Sequence, residues 1–193
     1  ETNANANNST KPADDYVQKY AVECDSHAAS SYRRNFRDVT VFCEDIRKLS
    51  TEPMKSEPVF IIMGGPPCQG FSLAGKRDKN DKRNELVKSY IKFIKLVQPE
   101  VIIFENVHGF TVHFKEKKGT KQYSTYIERA LKRQGYTTAY QIIDMSDFAV
   151  PQNRKRFILV GMKNHNPKKV FEKLFANRGA FCSAKGIAQS TTV

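Results

Sequence analysis

The sequence predicts an α/β protein with a doubly wound, mainly parallel sheet. Short apolar runs alternate with segments of helical periodicity through most of the chain, which is the pattern of this fold class. The run Val59–Met63 is continuously apolar and stops at Gly64-Gly65, as expected of a buried parallel strand. With 193 residues, of which 39% are hydrophobic, the chain can form a globular domain with its own core.

The first half of the predicted fold contains three strands and two helices. β-rich residues predict the strands, and apolar spacing predicts the helices, the second of which places Tyr90, Phe93, Ile94 and Val97 on one face. These elements are strands Tyr20–Cys24, Thr40–Phe42 and Val59–Met63, and helices Ser26–Asn35 and Leu86–Val97.

The second half continues the alternation. Gly135 ends the predicted helix Tyr123–Gln134, because glycine readily adopts the left-handed conformation after a helix. Strands are expected at Val101–Phe104, Gln141–Ile143 and Phe157–Val160. We expect a disordered tail at 1–15, a core domain at 16–163 and a C-terminal extension at 164–193.

Charge and cysteine content narrow the possible partners and the compartment. The formal net charge is +12, from 32 Lys and Arg against 20 Asp and Glu, and such an excess favours a polyanionic partner. The four cysteines form no Cys-x-x-Cys pair, so we expect no metal site. The sequence shows no signal peptide or membrane span. We therefore expect an intracellular protein, in the nucleus if eukaryotic and in the cytoplasm if bacterial.

The segment Gly64–Ser72 contains the first candidate for catalysis. Two prolines stiffen the approach to Cys68, and the flanking glycines allow another molecule to come close to the backbone. As a thiolate, Cys68 would be a strong nucleophile. The alternative is a buried structural cysteine in a tight loop.

Two further segments carry charged groups next to predicted strands. Glu105 follows an apolar run, where partial desolvation would help a carboxyl group to hold and donate a proton. Arg154 and Arg156 have the spacing of a strand and would point the same way, so that they could grip an oxygen atom. The alternatives are a helix-capping acid and an exposed basic edge.

Together these three segments resemble the cytosine-C5 methyltransferase family over about residues 20–163. The match consists of Pro67-Cys68-Gln69, Glu105-Asn106-Val107 and Gln152-Asn153-Arg154-Lys155-Arg156. The resemblance implies a Rossmann-like fold and transfer of a methyl group from S-adenosylmethionine to C5 of a flipped cytosine in DNA. It implies that Cys68 attacks C6, that Glu105 contacts N3 and the exocyclic amine, that Arg156 binds O2, and that Arg154 helps to order the cysteine loop.

The resemblance also assigns binding residues. Residues 72–83 match the mobile loop of the family that closes over DNA, and the implied DNA-binding residues are Gln69, Ser72, Lys76 and Arg83. For the cofactor, Glu23 matches the acid that binds the ribose, and Asp45 the acid that contacts the adenine amine. The cofactor set is Glu23, Cys24, Asp45, Ile46, Pro67 and Leu86.

The sequence departs from the family pattern near both ends. No glycine precedes Gly64, although the family opens with a Gly-rich cofactor loop, and residues 164–193 are too few for a full recognition region. We therefore expect a fragment or a chain completed by a second chain. The alternatives are an inactive regulatory homologue that binds nucleic acid, a transfer-RNA methyltransferase and a basic binding module without chemistry.

Overall fold

A computed structural model describes residues 17–67, 84–111, 114–116, 119–121, 123–184 and 186. Helices and strands alternate through the first part of the chain, and two helices follow the last strand. The strands are β1 Tyr20–Val22, β2 Thr40–Phe42, β3 Ile61–Gly64, β4 Val101–Val107, β5 Phe114–Glu116, β6 Gly119–Lys121, β7 Thr137–Asp144 and β8 Lys155–Met162. The helices are α1 Ser26–Asn35, α2 Glu52–Lys55, α3 Asn84–Val97, α4 Tyr123–Lys132, α5 Lys168–Ala176 and α6 Arg178–Ala184.

The principal sheet has four strands in the order β3-β4-β8-β7. β3 and β4 are parallel, whereas β8 pairs in antiparallel fashion with both β4 and β7. β1 and β2 form a parallel pair, and β5 and β6 an antiparallel one. The fold is therefore α/β, as the sequence predicts. The four-stranded sheet is mixed because β8 runs antiparallel to β3, β4 and β7, which share one direction.

One face of the four-stranded sheet packs against α3 and α4 through aromatic rings. Alternation along β4 buries Ile102, Phe104 and Asn106 on this face. The Phe104 ring lies 5.6 Å from the Tyr90 ring of α3 and 5.3 Å from Phe110, measured between centroids. These contacts hold α3 against the face of the sheet near the carboxyl ends of β3 and β4.

The opposite face is covered by α5 over β7 and β8. Phe171 of α5 packs with Ile143 of β7 and Val160 of β8, and all three are buried. The same face of β4 carries Glu105. The two sides of this strand therefore have separate roles, since one side forms core and the other presents the candidate carboxylate.

Most predicted elements are present, with shifted ends and one difference in burial. The run Val59–Met63 forms a strand parallel to β4, but the expectation that it is buried is wrong, since Met63 is 70% exposed and Phe60 47%. Met63 shares a face of the sheet with Val160, and the buried cluster that α5 forms on this face lies over β7 and β8 rather than over β3 at the sheet edge. None of the helices in the described part of the chain could span a membrane.

The chain divides into two compact units between Leu49 and Ser50. The first contains β1, α1 and β2, and the second contains the four-stranded sheet with its helices. The candidate cofactor residues Glu23 and Asp45 belong to the first unit, and Glu105 and Arg156 belong to the second.

Candidate active site

β4 and β8 bring Glu105 and Arg156 into contact. Val107 pairs with Arg156 across the antiparallel ladder, and alternation along the strand places Glu105 on the same face as Val107. The Nε atom of Arg156 donates to Oε1 of Glu105 at 2.7 Å. The two side chains are 17% and 44% exposed respectively, so this ion pair is accessible from solvent. The carboxylate can accept hydrogen bonds and the guanidinium can donate them, so together they can bind a planar ring that carries both donors and acceptors.

Gly64, the last residue of β3, and Gly65, which follows it, each lie close to another side chain. A Cβ atom at Gly65 would lie 2.7 Å from Oε2 of Glu105, so only a glycine leaves room for this carboxylate in its present position. A Cβ at Gly64 would lie 2.5 Å from Cε2 of Tyr90. The Tyr90 hydroxyl donates to the Ile103 carbonyl at 3.1 Å, and burial raises the pKa of this phenol. Gly64 therefore contacts rigid core, and Gly65 contacts the catalytic candidate.

Asn106 connects the end of β4 to the loop that follows β3. Its side chain is almost fully buried, with 3% exposure. Nδ2 donates to the Pro66 carbonyl at 3.2 Å, while Oδ1 accepts from the backbone N–H of Val107 at 2.9 Å. Because Pro66 lies two residues before Cys68 in the sequence, this bond holds the start of the cysteine loop beside Glu105.

Arg154 is held through its backbone just before β8. Its N–H donates to the Asp144 carboxylate at 3.2 Å, and its carbonyl accepts from the Met145 N–H at 3.1 Å. Hydrogen bonds from Ser146 and from the Arg154 N–H keep the pKa of Asp144 below its usual value. The Arg154 side chain is exposed, and among the described residues no hydrogen bond or ion pair of its guanidinium is found. Only Arg156 of the predicted arginine pair contacts Glu105.

The first unit places Glu23 and Cys24 directly after β1. The Glu23 N–H donates to the Phe42 carbonyl at 3.0 Å, which continues the pairing of the parallel strands by one residue. Oε1 of Glu23 accepts from the Asp25 N–H at 2.9 Å, and Asp25 caps α1 by accepting from Ala28. Cys24 is exposed. Since β1 and β2 are parallel, Glu23 and the residues after β2 lie at the same edge of this sheet.

Asp45 follows β2 and forms an ion pair with its neighbour Arg47. Both carboxylate oxygens accept from Arg47 Nε at 2.9 Å, and Nη2 of Arg47 also binds Oδ2. The hydrogen bonds from Arg47 lower the pKa of Asp45 to about 2. Ile46 is half-buried next to it. A ligand amine would therefore have to share the Asp45 carboxylate with a guanidinium.

The remaining predicted site residues divide into described and undescribed positions. Pro67 is exposed after Pro66, and Leu86 is half-buried in the first turn of α3. Cys68, Gln69, Ser72, Lys76 and Arg83 lie outside the described residues. Within the described ranges, no cluster of three or more metal-binding side chains occurs.

Sequence reasoning missed the supporting residues of this site. Gly65 contacts Glu105, Asn106 bonds the Pro66 carbonyl and Asp144 bonds the Arg154 backbone, and the motifs alone predict none of these contacts. The signals were present, since the glycine doublet and Asn106 stand inside the two most distinctive motifs. What the sequence lacked was the sheet register that brings them together.

Comparison with known families gives the chain its classification. The model for C-5 cytosine-specific DNA methylases matches residues 8–188, which is most of the chain. The chain belongs to this family. The fold class is thus that of a C-5 cytosine methylase.

Individual relatives support the same assignment over part of their length. The Type II methyltransferase M1.HphI of Haemophilus parahaemolyticus is 34% identical over 77% of this chain and 41% of its own length. M.DdeI of Desulfomicrobium norvegicum is 36% identical over 79% of this chain and 37% of its own. The solved DNMT2 of Spodoptera frugiperda is similar with a TM-score of 0.58 and 26% identity, over 76% of this chain and 42% of that one. The chain thus spans about two fifths of the length of these relatives.

Proposed function

We propose that this chain forms the catalytic part of a DNA (cytosine-5-)-methyltransferase, with Cys68 as the nucleophile. The observation that supports it best is the accessible pair of Glu105 and Arg156 in a member of this family. The pair lies against Gly65, and Asn106 bonds the Pro66 carbonyl two residues before Cys68. The segment that leads to Cys68, the carboxyl group and the guanidinium thus lie at the same edge of β3, β4 and β8.

Each residue has a defined task in the proposed reaction. The Cys68 thiolate adds to C6 of a cytosine that has left the base stack, and the π electron pair of the C5=C6 double bond shifts through the ring toward N3. Arg156 stabilises the charge at O2, and Glu105 hydrogen-bonds N3 and the exocyclic amine and supplies a proton at N3. After methylation, a base removes the C5 proton, and its electron pair re-forms the C5=C6 double bond as the bond from C6 to sulfur breaks. N3 returns its proton to Glu105, so that both the thiolate and the acid are regenerated.

The residues of the first unit are suited in part to the proposed cofactor, S-adenosylmethionine. That cofactor supplies an electrophilic methyl group. Glu23 is held by the Asp25 N–H through Oε1, so that Oε2 can accept from a ribose hydroxyl. Asp45 fits less simply, because Arg47 already occupies its carboxylate. Cys24, Ile46, Pro67 and Leu86 complete the proposed set as apolar contacts.

Duplex DNA is the proposed substrate, and its backbone is the polyanion that a chain with a net charge of +12 would attract. Gln69, Ser72, Lys76 and Arg83 are proposed to contact it. We also propose that a second chain supplies further segments of the enzyme. Transfer RNA is the alternative substrate, and the assay below separates it from DNA.

The test measures transfer of a labelled methyl group from S-adenosylmethionine to duplex DNA and, separately, to transfer RNA. We expect methylation of DNA at cytosine C5 and a loss of about 10²–10⁴-fold in Glu105→Gln, which can no longer donate a proton. Glu100→Gln changes an exposed acid just before β4 and serves as the control. Methylation of transfer RNA alone would contradict the proposed substrate, and equal rates in both variants would contradict the role of Glu105.

A further inference from the structure

The outward faces of α3 and α4 carry six exposed cations. Three lie along α3, and three lie in the last turn of α4 and the residue after it. They are Lys88, Lys92, Lys95, Arg129, Lys132 and Arg133, and we call them the basic helix face. None of these residues belongs to the candidate active site.

On α3 the cations and the core side chains occupy opposite sides. Lys88, Lys92 and Lys95 follow one another at intervals of four and three residues, which places them in one row along a helix. Tyr90 and Ile94 lie on the other side and are buried against the sheet. The row is therefore a stable feature of the surface, because its direction is set by the buried side of the helix.

α4 extends the same surface. Ile127 and Leu131 of α4 are fully buried, and Arg129, Lys132 and Arg133 point away from them. The side chain of Gln134 donates to the Ile91 carbonyl at 3.4 Å, which shows that the end of α4 contacts the middle of α3. The two rows of cations thus belong to neighbouring helices of one compact unit.

No carboxylate neutralises these cations within the described structure. Other surface cations in the described chain do form ion pairs, such as Arg178 with Asp147 at 3.7 Å. The two helices contain one acid each, Glu85 and Glu128, and neither forms an ion pair with the basic helix face. Burial raises the pKa of the Glu128 carboxyl group.

We propose that the basic helix face is a second binding surface for the phosphate backbone of duplex DNA. Lys88 and Lys95 are seven residues apart, or about 10 Å along the helix, which corresponds to about three base-pair steps of 3.4 Å along the DNA axis. A row of cations that form no ion pair within the described residues can bind the phosphates of a DNA backbone. The inference rests on the proposed function, because it takes the partner to be the DNA that the enzyme methylates.

This surface is separate from the site of chemistry. α3 packs on the face of β4 that carries Phe104, and Glu105 points to the opposite face. The basic helix face would therefore contact either the part of the duplex that lies beyond the target base or a second segment of the same DNA molecule. Such contacts carry no sequence information, so they would raise affinity uniformly and make binding depend strongly on salt.

The test compares two charge-matched triple variants. Lys88→Gln, Lys92→Gln and Lys95→Gln remove three charges from α3, while Lys168→Gln, Lys169→Gln and Lys173→Gln remove three from α5. Fluorescence anisotropy gives Kd for a 30-base-pair duplex between about 50 and 200 mM salt, the range over which phosphate binding is resolved. For the α3 variant we expect the slope of log K against log salt to fall by about 0.9 for each phosphate that is no longer neutralised, or about 3 in total, while the α5 variant keeps the slope of the wild type.

The outcomes separate this inference from the proposed function. An unchanged slope in the α3 variant, or equal changes in both variants, would overturn the second surface. Methyl transfer at saturating DNA should stay at the wild-type rate in the α3 variant, because these lysines take no part in chemistry. If the wild type neither binds nor methylates DNA, the proposed function itself fails.

Discussion

Replacing Gly65 with alanine should impair catalysis while leaving the fold intact. The added Cβ would lie 2.7 Å from Oε2 of Glu105, and the other near atoms, the carbonyl oxygen and Cβ of Glu105, lie at 3.6 and 3.8 Å. The oxygen must therefore move by about 0.7 Å to reach an ordinary separation of 3.4 Å. It can do so because it ends a flexible side chain that is 44% exposed.

The size of the effect follows from this displacement. Moving a reacting group by about 1 Å can cost about 100-fold in rate, so we expect Gly65→Ala to react about 10- to 100-fold more slowly. The stability should change by less than about 1 kcal/mol, because the loosened ion pair is worth about 0–1 kcal/mol and the reduced freedom of the unfolded chain offsets it. The apparent Tm should therefore shift by less than about 4 °C.

Gly64→Ala provides the opposite result one residue earlier. Its Cβ would lie 2.5 Å from Cε2 of Tyr90, and two further ring atoms lie at 3.2 Å. The ring is buried and its hydroxyl is fixed by the Ile103 carbonyl, so overpacking should cost about 1–3 kcal/mol. Gly161→Ala is the control, since its Cβ would meet side chains at 3.6 Å or more.

The assay pairs thermal unfolding with the rate of methyl transfer for the three glycine variants. We expect Gly65→Ala to keep its thermal stability but to transfer methyl groups slowly. Gly64→Ala should be thermally destabilised, and Gly161→Ala should be nearly unchanged in both measurements. A Gly65→Ala protein with full activity would refute the role given to the position of Glu105. If Gly64→Ala and Gly65→Ala were equally destabilised, the distinction between the rigid Tyr90 ring and the movable Glu105 carboxylate would be wrong.

Three other changes test the supporting interactions. Asn106→Ala should lower stability by about 1–3 kcal/mol in denaturant titrations, because it removes a buried hydrogen bond to the loop, and should also slow methyl transfer. The pKa of the Asp45 carboxyl group, measured by NMR titration, should be about 2. The stabilisation from its ion pair with Arg47 is therefore complete above the ordinary pKa of 3.8 and is lost as the pH falls toward 2. In Arg47→Gln the pKa of Asp45 should return toward 3.8. Tyr136→Phe removes the 2.6 Å bond to the Pro99 carbonyl and should cost about 1 kcal/mol in the same titrations without changing the methylation rate.

Local patterns sufficed for much of the fold. Helix Ser26–Asn35 has the predicted ends because Asp25 caps it and its sequence contains no breaker. β4 extends to Val107, beyond the predicted Phe104, because pairing with β8 continues past the apolar run. The exposure of Met63 could not be foreseen, since it depends on which part of the sheet α5 covers and not on the composition of the run.

The candidate site shows the same division between local and long-range information. The sequence placed Glu105 and Arg156 next to separate strands, and the expectation of a shared role came from the family resemblance. Their approach to 2.7 Å depends on a register between residues about fifty positions apart in sequence. Arg154 illustrates the limit of spacing arguments, because β8 begins at Lys155 and leaves its side chain without a described partner.

Covalent trapping tests the central claim most directly. The protein is mixed with S-adenosylmethionine and duplex DNA that contains 5-fluorocytosine, in which the fluorine at C5 cannot be removed as a proton is. We expect a stable protein–DNA adduct that peptide mass spectrometry maps to Cys68, that is absent in Cys68→Ser and that persists in Cys43→Ser, the control at an exposed free cysteine. DNA binding without an adduct, or an adduct on any other residue, would contradict the account.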